Sequence, residues 1–324
     1  MKSQTSRLLN VSYIRATAML LIVLYHSFCY TAGVWHFNDS VNADYGLWFP
    51  MSVYTGLGLF VFISGYLYGY MVLVKGKYTK LWPFVLNKVK RLIVPYLIWN
   101  VLIVLLLPFN PSVKEFVIVV LKKGYIHLWF LLMLFKIFMV VLVLKPLWMR
   151  SRLWHDVCII IVLLLINATH LPMTGSLSDL AIFYSGIVVT KHREHLPDNV
   201  NVWFFLLASA LYVVSFVIGI PTLKQIALLL FAYSLLKYLD SVFESRSFEK
   251  MNDIVGFFDK HSMGVYIVHH IVIFQLLFYY APSHSYLNAY PVSGPLILFV
   301  GVTAVSLMLS WIIEKIHLSK ILFG

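Results

Sequence analysis

Arg15 and His26 stand eleven positions apart in the apolar run VSYIRATAMLLIVLYHSFCY, Val11 to Tyr30. That spacing is close to three helical turns, about 16.5 Å of rise, so the two side chains share one helix face. An arginine in hydrocarbon is costly unless it snorkels to headgroups or faces an anion. The spans expected from sequence place no Asp or Glu deep enough to pair with it, which leaves snorkelling and an anionic ligand as its two readings. His26 is suited to proton transfer, because a neutral imidazole accepts a proton from an attacking hydroxyl near pH 7. Hydrogen bonding between packed helices is the competing account of the same residue.

A second cluster is KHSMGVYIVHH, Lys260 to His270. Neighbouring positions on a helix point about 100° apart, so His269 and His270 are not expected to touch one reacting atom. Ser262, Tyr266 and one of the two histidines would form either a polar wall or a buried hydrogen-bond ladder. His127 and Trp129, in YIHLWFLL, sit at an expected outer interface, where aromatics anchor and His127 could meet a polar acceptor. Lys88, Lys90 and Arg91, in KVKRLIVPYLIWN, would attract phosphates or anchor the cytoplasmic surface, and Pro95 would bend or start a membrane segment. Asp39 and Asp44 lie in an outer loop, where they would orient sugar hydroxyls or simply be solvated. HExxH, EF-hand and GxSxG patterns are missing from the sequence, and no metal is expected.

The elements that must position these residues are membrane helices. Of the 324 residues, 61% are hydrophobic, and apolar runs recur from Val11 to Ile313 with only short polar connections. The pattern predicts an all-α polytopic membrane protein of about ten transmembrane helices, folded as one membrane domain over 1–324. The expected spans are 11–33, 48–74, 92–108, 127–144, 157–169, 178–190, 201–219, 225–239, 262–280 and 293–313. Gly58 and Gly65 would permit close helix packing. The stretch 109–126 would be re-entrant or interfacial, and 240–261 a cytoplasmic connection. The formal net charge of +12 would permit a nucleic-acid partner, but the basic residues gather where short loops meet the membrane. Their bias puts both termini in the cytoplasm, leaves membrane lipid as the partner and argues against nucleic acid. The first run has no small-residue cleavage site and reads as a retained helix. Cys29 and Cys158 show neither metal-ligand nor redox spacing.

The segments YIRATAMLLIVLYHS, LFVFISGYLYGY, KRLIVPYLIW, HLWFLL and SMGVYIVHH, in that order, resemble the membrane-bound acyltransferase 3 family over nearly the whole chain. The resemblance implies a ten-helix enzyme, in compact membrane-only form, of the bacterial cytoplasmic membrane. Its implied activity is O-acylation of extracytoplasmic polysaccharides or lipid-linked sugars, with acetyl-CoA the common donor. The family's functional arginine and histidine fall on Arg15 and His26, its serine-glycine step on Ser64 and Gly65, and its late tyrosine-histidine feature on Tyr266 and His269. On this reading His26 and Arg15 are catalytic. Arg15, Lys88, Lys90, Arg91, Ser64, Tyr266 and His269 would meet the donor, and Asp39, Asp44, His127 and Trp129 the acceptor. The rival function is a transporter of an acylated glycan or small metabolite, which would also need a polar passage.

Overall fold

The structure, a computed structural model, describes residues 8–168, 175–197, 200–245, 249–280 and 282–324. Positions 169 and 246–248, within the expected span 157–169 and connection 240–261, lie outside the described residues. Among the described residues the regular structure is entirely helical. Leu9–Phe28 forms α1, Trp48–Gly69 α2, Leu81–Lys88 α3 and Val94–Leu106 α4. Then come α5 (Val113–Lys122), α6 (Trp129–Val143), α7 (Lys145–Arg150), α8 (Leu153–Ala168) and α9 (Gly175–Lys191). The remainder holds α10 (Val202–Ile218), α11 (Pro221–Ser245), α12 (Glu249–Tyr279), α13 (Pro282–Ala289), α14 (Ser293–Lys315) and α15 (Ser319–Leu322).

Six helical runs among the described residues are long and apolar enough to cross a bilayer, which corrects the expected count of about ten. They are Leu9–Phe28, Trp48–Val74, Leu81–Leu106, Pro221–Phe243, Glu249–Tyr279 and Ser293–Lys315. The other four expected spans fold as α6, α8, α9 and α10, of 15 to 17 residues each. At 1.5 Å per residue these reach only about 23–26 Å, short of the roughly 30 Å hydrocarbon core. The runs 127–144 and 201–219 include end residues that α6 and α10 give up, whereas 157–169 and 178–190 are short as apolar runs even though α8 and α9 extend beyond them. The chain is thus a multi-pass, all-α membrane protein, with six long spans and a set of shorter apolar helices among the described residues.

Single π-helical turns at Tyr70–Val74 and Val89–Ile93 lengthen α2 and join α3 to α4. Pro95 sits just after the second π turn, inside the run Leu81–Leu106, and does not start it. Its ring has no N–H for the carbonyl one turn back, and the wider turn relaxes the register at that point.

Packing divides the chain into two compact units. The first comprises Met1–Ala18, Tyr54–Thr79 and Val140–Asp259, and the second Met19–Val53, Lys80–Met139 and Lys260–Gly324. Lipid tails are as apolar as leucine, so close backbone approach and hydrogen bonds hold such helices together. In the first unit α2 and α9 cross at two glycines. A Cβ at Gly65 would lie 1.8 Å from the Phe183 carbonyl oxygen, and one at Gly186 would lie 2.2 Å from that of Phe62. Gly65→Ala is therefore expected to cost about 1–3 kcal/mol of stability through overpacking. Gly301→Ala, whose Cβ meets nothing within 4 Å, is expected to be neutral. Equal thermal midpoints for the two variants in detergent would contradict this crossing.

The first unit is also pinned by Asp156, fully buried at the start of α8. Lys191 Nζ donates to its Oδ2 at 2.8 Å, and His192 Nε2 lies 2.7 Å from the same oxygen. Tyr184 donates to its Oδ1 at 2.5 Å, and Ser151 donates to that oxygen as well. Lys191 also donates to the carbonyls of Trp148, at 2.5 Å, and Ser151, at 2.7 Å.

In the second unit α5 begins with a capping box in which Ser112 and Glu115 satisfy each other's backbone N–H. Along α5, Val113, Val117 and Leu121 are exposed at four-residue intervals, forming one apolar face. The chain then turns at Gly124, φ +74°, where a Cβ would strike Tyr96. Asn100 Oδ1 accepts from Tyr125 N at 2.8 Å, fixing the path that leads into His127.

Candidate functional site

Four imidazoles meet in the second unit. His26 comes from the last turn of α1, His269 and His270 from the long helix α12, and His127 from the connection between α5 and α6. Ring centroids are 4.0 Å apart for His26 and His270, 5.1 Å for His26 and His269, 4.4 Å for His127 and His270, and 5.0 Å for His127 and His269. His127, His269 and His270 are buried, and His26 is half-buried. Trp35 covers the group, stacked with its ring centroid 6.3 Å from that of His26 and edge-on to His270 at 5.5 Å.

The hydrogen bonds fix the tautomers. His269 Nδ1 lies 3.0 Å from the Val265 carbonyl, which can only accept, so this nitrogen carries the hydrogen. In the neutral ring His269 Nε2 is then an acceptor. Its partner, 3.1 Å away, is His26 Nδ1, which must donate. The remaining nitrogen of His26, Nε2, is left with its lone pair, the form a proton acceptor requires. Both ring nitrogens of His127 and of His270 have no hydrogen-bond partner among the described residues.

His127 is held from its own backbone. Tyr266 Oη donates to the His127 carbonyl at 2.6 Å, and the preceding Ile126 adopts φ +52°. A β-branched residue in the left-handed region is strained, and such strain persists where surrounding contacts hold it. Tyr266→Phe is expected to lower stability by about 1 kcal/mol, since a buried carbonyl loses its donor. An unchanged thermal midpoint in detergent would show that the bond carries no weight.

His269 and His270 both pack beside the His26 ring, and His269 alone is hydrogen-bonded to it, at Nδ1. The expectation of no metal is overturned, because His26, His269 and His270 each offer a ligand nitrogen, all within 4.8 Å of one another. No spacing motif marks this set, since its members come from two helices far apart in sequence.

Arg15 has a carboxylate partner. Its Nη1 lies 3.1 Å from Asp259 Oδ1, and Ser12 donates to Asp259 Oδ2 at 2.8 Å, all within the first unit. Asp259 falls in the expected connection 240–261, whereas α12 begins at Glu249 and includes it. Ser64 donates back to the Phe60 carbonyl at 2.7 Å, and Gly65 serves the α2–α9 crossing.

The other expected site residues have local partners. Lys88 Nζ sits 3.5 Å over the Phe138 ring, Arg91 Nε donates to the Gly324 carbonyl at 3.1 Å, and Lys90 is exposed. Trp129 is exposed and packs edge-on to Phe130. Asp44 accepts from Gly46 N at 2.8 Å. Asp39 Oδ2 lies 2.6 Å from His284 Nδ1, and the hydrogen bond from His284 holds the Asp39 carboxyl below the usual carboxylate range. The structure thus unites His26, His127 and His269, adds His270 and Trp35, and gives Asp39 and Asp44 hydrogen bonds away from that cluster, to His284 of α13 and to Gly46.

Residues 8–315 match the family model described as an acyltransferase domain. No curated protein and no solved structure matches the chain. Because the matched stretch covers nearly all of the sequence, the chain belongs to the acyltransferase 3 family, and acyl transfer is its class of activity.

Proposed function

We propose that the chain moves an acetyl group from cytoplasmic acetyl-CoA to a hydroxyl of an extracytoplasmic polysaccharide or lipid-linked sugar, with His26 as general base. The observation that carries this reading is the hydrogen-bond chain from His26 Nδ1 through His269 to the Val265 carbonyl, which leaves His26 Nε2 free to accept a proton. The acceptor hydroxyl gives its proton to Nε2 as its oxygen attacks the thioester carbonyl carbon. The C–S bond then breaks, the thiolate of CoA leaves and takes up the proton, and the acetyl ester remains on the sugar. His269 acts as the positioning residue, since its Nε2 accepts from His26 and supports the imidazolium that forms. Each neutral ring of His127 and His270 carries one N–H, and these hydrogens are available to the developing oxyanion.

Arg15 would take the anionic part of the donor. Lys88, Lys90 and Arg91 would add positive charge for the donor phosphates. Trp35 would offer an aromatic face to the sugar beside His26.

The test uses sealed vesicles bearing the chain, with labelled acetyl-CoA inside and glycan acceptor outside. Label on the outer glycan, matched by free CoA within, supports transfer. Passage of glycan without thioester cleavage would replace this reading by transport.

A further inference from the structure

The transfer chemistry uses one lone pair of a cluster that holds four rings, and the other nitrogens have the character of a metal site. We propose that His26, His269, His270 and His127 bind one divalent cation of the zinc class, and that the bound metal and the proton-accepting state of His26 exclude each other. Three of the rings present ligand nitrogens within 4.8 Å of one another. A tetrahedral zinc with bonds of about 2.0–2.1 Å sets its nitrogens about 3.3–3.4 Å apart, so ring rotations bring the set to that spacing. His26 Nδ1 and His269 Nε2, at 3.1 Å, are near it already.

His127 is the fourth ligand by position and by need. Its ring is centred 4.4 Å from that of His270, it is buried, and neither of its nitrogens has a hydrogen-bond partner among the described residues. The same is true of both nitrogens of His270. A buried polar group without a partner is costly, and two such rings side by side call for a shared ligand. The outer contacts also fit. Metal-bound histidines almost always give their second N–H to a carbonyl or carboxylate, and His269 Nδ1 already donates to Val265 O. A donor set of imidazoles alone suits zinc, copper or nickel and does not suit magnesium or calcium.

Exclusion follows from the lone pairs. Ligation through His269 Nε2 takes the acceptor that now holds His26 in its tautomer. Ligation through His26 Nε2 takes the base itself. Metal binding stands independently of the transfer reading, whereas its inhibitory effect rests on that reading.

The test takes the full chain, purified on a tag without histidine, stripped with a chelator, exposed to Zn2+ alone and then desalted. About one zinc per chain is expected, with affinity at least about tenfold weaker in His269→Ala and His270→Ala. His155→Ala, which alters an exposed ring stacked on Trp154, is expected to keep the metal. Co2+ in place of zinc is expected to show the visible bands of a tetrahedral site, and Zn2+ to raise the thermal midpoint of the native chain alone. Should an alanine variant fail to fold, His127→Gln and His270→Gln are read in its place. Zinc missing from the folded native chain, or retained equally by the folded variants, overturns the proposal. Zinc bound while transfer is indifferent to His26 would leave the metal site standing and remove the base reading. Transfer dependent on His26 without any zinc binding would do the reverse.

Discussion

His26→Ala is expected to lower kcat for acetyl transfer by about 10²–10⁴-fold, the usual range for loss of a general base. The removed ring is half-buried at the end of α1, and its loss leaves His269 still bonded to Val265, so the fold is expected to survive. KM for acetyl-CoA should change little, because the base acts on the acceptor hydroxyl as bonds rearrange and adds little to ground-state binding of the donor. His269→Gln tests the tautomer argument. An amide at that position can still accept a hydrogen bond but supports the imidazolium poorly, so kcat should fall with KM spared. A variant that raised KM for acetyl-CoA at constant kcat would place His26 on the donor and end its role as base.

Asp156→Ala is expected to cost about 3–5 kcal/mol of stability, the effect of breaking a buried ion pair by removing one partner. The carboxylate is fully buried and receives Lys191, Tyr184 and Ser151, with His192 at 2.7 Å. Without it the Lys191 ammonium is left among carbonyls, and Tyr184 loses its acceptor. Asp156→Leu combined with Lys191→Met should recover much of that loss, since replacing both charges removes the uncompensated one. Thermal midpoints of the single and double variants in detergent measure the coupling. A double variant no more stable than Asp156→Ala would show that the ion pair is not what holds α8 and α9.

Much of the site could be read from residue types and order. Arg15 and His26 on one face of the first helix, the late pair His269 and His270, and His127 before α6 were all visible as polar groups in apolar surroundings. Gly65 was readable as a packing glycine, whereas Gly186, which faces α2 at the same crossing, was not singled out by its own stretch of sequence. Asp259 was hidden by a boundary. The polar stretch before position 262 looked like a connection, yet α12 runs back to Glu249 and carries that carboxylate to Arg15. Span counting failed for a related reason. Hydropathy tells where the chain is apolar but not where a helix starts and stops, and α6, α8, α9 and α10 end after four to five turns. The metal-ligand set was unreadable because its nitrogens converge only when α1 and α12 pack.

A single-turnover reaction shows whether His26 is the base. Purified chain is mixed with labelled acetyl-CoA and a glycan acceptor, and free CoA and acetylated glycan are followed together in native and His26→Ala protein at equal folded concentration. The native chain is expected to form both products in equal amounts, and His26→Ala to form neither on the same timescale. Equal turnover by the two proteins would show that this histidine is not the base and that the cluster around it is not where the acyl group moves.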